Sequence, residues 1–205
     1  MRPKTWSYTP EDNNLTGFLS NATGATWTLT TTTPGDGLAH QVTVRNDSAT
    51  DHSAKTIALV GTDADGKDQT ETLTAPAGSA TVTSSKFWKT LTSATPSATI
   101  GADTMDIGWN DVAVGPTIPM DWRQTSFLLT MMVDISGTIN YDVEYTEQDI
   151  WANTPSTLTW LNHGTLVNKT ADTDGSTTVP IRAIRLAINS LTAGATISLT
   201  AILGG

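Results

Sequence analysis

The stretch "TIALVGTDADGKDQTETLTA", residues 56–75, predicts an antiparallel β-hairpin. Apolar and polar residues alternate on either side of its centre, which is the pattern of a strand with one buried face. Asp65-Gly66 separates the two runs, and this dipeptide suits the positive φ values of a tight turn. We therefore expect Ile57 and Leu59 to point towards the same core.

The acidic residues of the hairpin raise a calcium site as the alternative. If Gly66 is placed at position 6 of an EF-hand loop, Asp63 and Asp65 occupy the ligand positions 3 and 5. Position 1 is then Gly61 and position 12 is Thr72, so two carboxylates that anchor such a loop are missing. The sequence therefore favours a structural turn. The same interpretation applies to Asp172, Asp174 and Gly175 in "TADTDGST".

Short strand-like segments recur along the rest of the chain, and about a fifth of the residues are Thr, which favours strands. Turn residues separate them. The predicted strands lie in residues 26–33, 40–47, 54–62, 69–75, 80–84, 86–93, 97–109, 125–134, 138–146, 158–167, 181–190 and 195–205. The pattern predicts an all-β fold of two tandem antiparallel β-sandwich or jelly-roll-like domains, with one large jelly roll plus a hairpin as the alternative.

Two of these segments depart from simple alternation. "TSFLLTMMVD", residues 125–134, is apolar at successive positions and predicts a strand covered on both faces. "IRAIRLAINS", residues 181–190, contains residues that favour a helix, yet Ile184, Leu186 and Ile188 recur at a spacing of two. We therefore predict a strand for this segment.

The boundaries follow from composition. Residues 1–24 are polar and weakly periodic, and they predict an extended N-terminal arm that docks through its aromatic side chains. Pro116 and Pro119 interrupt the alternation and disfavour a central strand there. The prediction is an arm at 1–24, one β-sandwich domain at 25–114 and a second at 115–205.

Charge and residue usage argue against several classes of function. The formal net charge is −9, so nucleic acid and anionic membranes are improbable partners. The chain has no Cys, and it lacks phosphate-binding loops and a G-x-S-x-G turn. We predict no catalytic residue, no metal and no cofactor. His40, His52 and His163 are expected to be surface or turn residues.

Carboxylate pairs of the kind that a hydrolase uses do occur in the sequence, as in Asp142 and Glu144. Residues two apart on a strand project from the same face at about 7 Å, a separation that glycosidases also use. Both alternate with Tyr141 and Val143, which is the ordinary pattern of a strand with one solvated face. The chain is therefore predicted not to be an enzyme.

Seven Trp residues outnumber three Phe and three Tyr. Trp suits cores, protein interfaces and sugar-stacking platforms alike. We expect Trp27, Trp88 and Trp160 to lie in cores. The residues predicted to lie at subunit contacts are Trp6, Tyr8, Phe18, Trp122 and Trp151. A carbohydrate-binding module that uses exposed Trp and Asp side chains remains the alternative.

Residues 56–205 carry a resemblance to a known class of proteins. "GTDADG" is followed by "ETLT" and "KFWKTLTSAT", and the second half contains "ISGTINYDVEYTEQD", "TWLNHGTL" and "IRAIRLAINSLTAGATISLTAIL". This succession resembles small structural proteins of tailed bacteriophage particles, whose strands build β-sandwiches that coat the capsid or occupy the tail and its joint with the head. Residues 1–24 are not covered by the resemblance.

The resemblance implies a structural protein of the virion, made in the host cytoplasm. Its expected partners are the major capsid protein or other virion proteins, together with copies of itself in a closed homo-oligomer, most simply a trimer. A capsid decoration or cement protein is the first expectation. A tail or head–tail connector component is the alternative within the same class.

Overall fold

The computed structural model describes residues 2–204 and confirms the all-β class. Strands make up 52% of the chain, and these residues contain no helix. The strand pairings with a defined register within these residues are antiparallel. The chain divides into two compact units. The central unit comprises residues 13–110, and the terminal unit comprises residues 2–12 and 111–204.

The central unit contains two sheets around one core. Its strands are β2 (Asn14–Ala22), β3 (Ala39–Asn46), β4 (Thr56–Thr62), β5 (Asp68–Thr74), β6 (Thr81–Trp88), β7 (Thr90–Pro96) and the first part of β8 (Met105–Val114). One sheet has β4 between β5 and β7, and in the other β3 lies between β8 and β6 while β2 pairs with β8. Phe18, Val42, Leu59, Trp88 and Ile107 are among the fully buried side chains of the core.

The hairpin predicted at residues 56–75 is present. β4 and β5 pair from Thr56 with Thr74 to Thr62 with Asp68, and Gly66 has φ +77° at the turn. Ile57 and Leu59 are both fully buried, as the alternation requires. The local pattern was sufficient here because strand, turn and strand are contiguous in sequence.

The terminal unit also has two sheets. Its strands are β1 (Lys4–Tyr8), the end of β8, β9 (Ile118–Pro119), β10 (Leu128–Ser136), β11 (Ile139–Thr146), β12 (Leu161–Asn162), β13 (Thr173–Thr177), β14 (Ala183–Leu191) and β15 (Thr196–Gly204). The first sheet has the order β1-β15-β10-β13. In the second, β14 pairs with β11, β9 and the end of β8, and β12 extends from β11.

Residues 2–24, which fall in the predicted arm at 1–24, contribute one strand to each unit. β1 pairs with β15 over five residues, from Lys4 with Ala201 to Tyr8 with Ile197. β2 belongs to the central unit and pairs with β8. Backbone N–H and C=O groups need partners, and each segment finds them in a sheet. The chain divides between residues 110 and 111, near the predicted boundary at 114, but residues 2–12 join the C-terminal half.

The two segments that depart from simple alternation differ in burial: β14 is buried on both faces and β10 on one. β14 is a strand, as predicted, and every side chain from Ala183 to Ile188 is buried. β10 is covered on one face only, because Leu129, Met131 and Val133 are buried whereas Leu128 and Met132 are 45% and 44% exposed. The prediction that residues 125–134 are covered on both faces is therefore wrong for the isolated chain.

Other predicted strands are shorter or absent. Residues 26–33 form no strand, although Trp27 and Leu29 pack partly buried against the central core. Only Leu161–Asn162 is a strand within residues 158–167, and β8 begins at Met105. Asp174-Gly175 lies within β13 and is not a turn. A Cβ at Gly175 would lie 2.5 Å from the Oγ1 atom of Thr165, so close packing explains this glycine.

Candidate interaction surface

Trp122 is held in a cationic environment beside β9. The backbone N–H of Trp122 donates to the carbonyl of Met120, and the backbone N–H of Met120 donates to the carbonyl of Arg182. The Arg182 guanidinium lies 4.0 Å from the centroid of the Trp122 ring, and the Arg123 guanidinium lies 5.0 Å from it. Such contacts combine cation–π attraction with a defined position for each charge.

Trp151 lies at the same cleft and is the most exposed large apolar side chain in residues 2–204, at 80%. Its backbone N–H donates to the Asp149 carboxylate at 2.9 Å, which fixes the turn that carries it. The cleft has a volume of about 220 Å³ and is lined by both Trp rings, Asp149 and Arg182. Since exposing a Trp ring to water is unfavourable, this position is a candidate contact residue.

A second cleft, of about 260 Å³, adjoins the first and shares Pro119, Met120 and Asp121 with it. Trp6 on β1 lines this cleft, and the Lys4 Nζ atom lies 5.0 Å from the ring centroid. We call the two clefts together the Trp–Arg surface, and its members are Arg2, Lys4, Trp6, Trp122, Arg123, Trp151 and Arg182. The sequence thus predicted three contact residues that the fold brings to one surface.

The other two predicted contact residues lie elsewhere. Tyr8 is half-buried on β1, and this burial raises the pKa of its hydroxyl. Phe18 is fully buried in the central core, with its ring centroid 5.0 Å from that of Trp109. The assignment of Phe18 to an interface is wrong, since the core of the central unit encloses it.

The remaining Trp residues do not line the two clefts of the Trp–Arg surface. Trp88 and Trp109 are core residues, and Trp27 is partly buried against the same core. Trp160, which was predicted to lie in a core, is partly exposed and covers the Arg185 guanidinium at 4.2 Å from the ring centroid. Of the Trp rings in residues 2–204, Trp151 is the most exposed, whereas Trp6, Trp122 and Trp160 each have at least one cation over the ring.

The three histidines are buried and hydrogen-bonded, so the prediction of surface positions is wrong. The alternative prediction of turn positions fits His52 and His163, whose carbonyls accept the N–H groups of Lys55 and Leu166. His40 Nε2 lies 2.7 Å from the Asp36 carboxylate and Nδ1 lies 2.9 Å from the Asn110 carbonyl. His52 lies between the Asp103 carboxylate and the Lys55 ammonium, at 3.0 and 2.9 Å. Each of these rings uses both nitrogens to hold neighbouring segments together.

His163 contacts a hydroxyl without forming a triad. Its Nδ1 lies 3.2 Å from the Thr165 Oγ1 atom, and its Nε2 lies 3.2 Å from the Ser176 carbonyl. A nucleophile activated by His needs a carboxylate or equivalent acceptor that sets the ring's tautomer and stabilises its charged form. The Ser176 carbonyl can orient the ring but supplies no charge. The contact therefore serves to join β13 to the preceding loop.

Asp142 and Glu144 face different partners. Asp142 is buried and accepts a hydrogen bond from the Asn168 N–H, whereas Glu144 accepts one from the Arg185 Nε atom at 2.6 Å. A β-bulge between Asn140 and Tyr141 shifts the register of β11 against β14. The predicted solvated face is therefore largely covered, and the two carboxylates do not share one open site.

A cluster of three charged residues, Arg45, Asp47 and Asp106, links strands of the central unit. Asp106 is 2% exposed, which by itself raises its pKa, but the Asn21 N–H, Asp47 and the Arg45 guanidinium bring that pKa below its usual value. Desolvation and the hydrogen bond to Asp106 raise the pKa of Asp47. The cluster fastens β2 and β3 to β8.

Asp63 organises the turn of the β4–β5 hairpin. Its Oδ1 atom accepts the N–H groups of Asp65 and Lys67 at 2.9 and 3.0 Å, while its buried Oδ2 atom has no hydrogen-bond partner. Burial raises the pKa of this carboxyl group above that of a free aspartate. Within residues 2–204 the structure contains no group of three or more acidic or His side chains arranged to hold a metal.

The raised pKa of Asp63 predicts a pH-dependent effect of Asp63→Asn. The folded protein disfavours the ionised form of Asp63, so ionisation lowers the stability of the wild type. This loss is absent at a pH below the pKa of Asp63 in the unfolded chain, and it is complete at a pH above the pKa of Asp63 in the folded protein. Asn keeps the Oδ1 acceptor and carries no charge. The stability of Asp63→Asn relative to wild type should therefore rise from pH 3 to pH 7, measured by urea unfolding. Asp63→Ala, the control, should be destabilised at both pH values because two N–H groups lose their acceptor. A difference in stability between Asp63→Asn and wild type that does not change with pH would contradict the raised pKa of Asp63.

Comparison with known proteins adds no family to this picture: the chain matches no protein-family profile and no curated protein. No helix of residues 2–204 has the length and apolar character needed to cross a membrane. Sequence reasoning missed Arg123 and Arg182 as members of the surface. The adjacency of Arg123 to Trp122 was visible, whereas Arg182 reaches that ring only through the pairing of β9 with β14.

Proposed function

We propose that the chain is a structural protein of a tailed bacteriophage virion that binds neighbouring subunits through the Trp–Arg surface. In its finer form the proposal is a capsid decoration or cement protein that bridges shell subunits, with a tail or connector position second. It makes and breaks no covalent bond. The observation that carries the proposal is the 80% exposure of Trp151 beside the stacked Trp122 and Arg182 side chains.

Trp and Arg are the residues that dominate the energetics of protein interfaces. Both are enriched at the few positions where truncation costs most of the binding free energy, and these positions cluster in pockets that lose their water on binding. Here two Trp rings and two guanidinium groups line one cleft, and Trp6 continues the surface next to it. This composition supports a protein partner more than a sugar, because three of the four Trp rings of the terminal unit already have a cation over one face.

The β-sheet framework also suits structural work. β1 and β9, which flank the surface, are paired to β15 and β14 respectively. Lys4 and Trp6 lie on β1, and contact residues held by a paired strand lose little conformational freedom on binding, so more of the contact free energy appears as affinity. The resemblance of residues 56–205 to phage structural proteins supports the virion as the place where such affinity is used. The proposed assembly is a closed homo-oligomer, most simply a trimer, on major capsid protein or another virion protein.

The proposal predicts that purified protein binds undecorated capsids and raises their thermal stability. Trp151→Ala should weaken that binding by about 30-fold, the equivalent of a 2 kcal/mol contact residue. Val179→Ala provides the control, since Val179 is an exposed apolar residue of the same unit, at 55%, that lies outside both clefts. Binding would be measured by co-sedimentation and stability by capsid melting.

Three outcomes contradict the proposal in different ways. If Trp151→Ala leaves capsid binding unchanged, the Trp–Arg surface is not part of the interface. If the protein binds neither capsids nor tails, the virion role is rejected. A glycan-array signal together with Trp fluorescence quenching by the same sugar assigns Trp151 to carbohydrate attachment instead.

A further inference from the structure

The outer face of the β1-β15-β10-β13 sheet is an apolar surface with a polar border. Leu128 and Met132 on β10 are 45% and 44% exposed, and Ile202 on β15 is 39% exposed. Thr130 lies between Leu128 and Met132 and is paired with Ile202, so these side chains are neighbours on one face. An apolar centre on the exposed face of a sheet is the composition of a protein contact surface.

The charged groups of this face all have the same sign. A cleft of about 460 Å³ on the sheet is lined by Met132, Ile202 and the carboxylates of Asp134, Asp172 and Asp174. Its other lining residues are Thr130, Thr173 and Thr200, and no Lys, Arg or His is among them. One Asp172 oxygen accepts the Ile135 N–H at 2.8 Å, which holds that carboxylate on the face. We call this surface the acidic sheet face.

The Trp–Arg surface of the same unit has the complementary composition. Arg2, Lys4, Arg123 and Arg182 line its two clefts against the carboxylates of Asp121 and Asp149. The two further cations of the terminal unit are Lys169 and Arg185, and Arg185 is ion-paired with Glu144. The unit therefore separates an acidic apolar face from a cationic aromatic one.

We infer that the acidic sheet face of one copy of this chain docks on the Trp–Arg surface of the next copy, in a head-to-tail contact. The inference rests on the proposed function and names a second copy of this chain as the neighbouring subunit that the Trp–Arg surface binds. Trp151→Ala then weakens capsid binding by weakening the assembly that binds the capsid. Pairing two acidic sheet faces would bring three carboxylates against three, and like charges across an interface disfavour the complex. Pairing unlike surfaces instead places Asp134, Asp172 and Asp174 opposite cations and covers Met132 with Trp rings. Such a heterologous contact generates a closed ring when its rotation closes.

The test uses two charge-reversed forms of the full chain, each with one surface intact. Asp134→Lys/Asp174→Lys changes the acidic sheet face, and Arg123→Glu/Arg182→Glu changes the Trp–Arg surface. Sedimentation velocity should show a concentration-dependent oligomer for wild type that weakens as salt is raised. Each double variant should associate at least about tenfold more weakly. An equimolar mixture should form a one-to-one complex, because one form retains the surface that the other lacks.

Asp68→Lys is the charge control, since Asp68 is exposed in the central unit and lines neither surface. It should associate as wild type does. The inference is overturned by a wild type that stays monomeric at all concentrations, by an Arg123→Glu/Arg182→Glu form that associates normally, or by a mixture that forms no complex. Capsid binding of the same variants separates the two proposals. If the two double variants form a complex with each other but do not bind capsids, the virion role alone is rejected. If the protein stays monomeric but binds capsids, the head-to-tail contact alone is rejected.

Discussion

Glu144→Ala is expected to lower the free energy of unfolding by about 3–5 kcal/mol, the range for removing one partner of a buried ion pair. Glu144 lies opposite Arg185 in the β11–β14 pairing, and the two side chains are 17% and 11% exposed. The Arg185 guanidinium is covered on one face by the Trp160 ring. Without Glu144, this buried cation keeps its desolvation penalty and loses its carboxylate.

The double variant Glu144→Leu/Arg185→Met is the matched control. Removing both charges removes the penalty as well, and an apolar pair of similar volume is often neutral in such positions. Urea unfolding at pH 7 should therefore place the double variant closer to wild type than Glu144→Ala. A double variant that is as unstable as the single variant, or an unaffected single variant, would show that the pair is not the source of the effect.

Gly108→Ala is expected to lower the free energy of unfolding by at least about 3 kcal/mol, the upper end of the usual range for overpacking. A Cβ at residue 108 would lie 1.8 Å from the carbonyl oxygen of Asn14 and 2.5 Å from the carbonyl carbon of Leu15. These are backbone atoms of β2, so no side-chain rotation relieves the clash. β2 would have to separate from β8, which exposes Phe18 and Leu19 of the core.

Gly164→Ala is the control for the loss of a glycine. A Cβ there meets no atom within 4 Å, and the residue does not have a left-handed φ. Its free energy of unfolding should stay within about 0.5 kcal/mol of wild type, as for other surface substitutions. Thermal unfolding by circular dichroism compares both variants with wild type. A stable Gly108→Ala variant would mean that β2 does not pack on β8 as the structure has it.

The predictions that succeeded depend on contiguous residues. The hairpin at 56–75 needs only two alternating runs and an Asp-Gly turn, and all of these lie within twenty residues. Likewise, the spacing of Ile184, Leu186 and Ile188 was enough to predict β14 as a strand, because the period of two is local. Asp174-Gly175 shows the limit, since the same dipeptide occurs inside β13 where long-range packing against Thr165 decides its role.

The candidate surface could be predicted only in part. Trp6, Trp122 and Trp151 were selected because Trp suits protein interfaces, and all three lie on the Trp–Arg surface. Phe18 was selected as an aromatic side chain of the predicted N-terminal arm and is instead enclosed in the central core. Nothing in the residues around Phe18 distinguishes the two cases, because burial there depends on Trp109, ninety-one positions away in the chain.

By itself the sequence determined that this chain is all-β, where most of its strands lie and which residues of the main hairpin face inwards. These properties follow from side-chain alternation and turn chemistry, which act over a few residues. Only the tertiary structure decided that residues 4–8 pair with β15, that β10 keeps an apolar outer face, and that cations stack on the Trp rings. Such features arise from strand pairing between segments far apart in the chain, and a local period does not specify which partner a strand finds or what covers its second face.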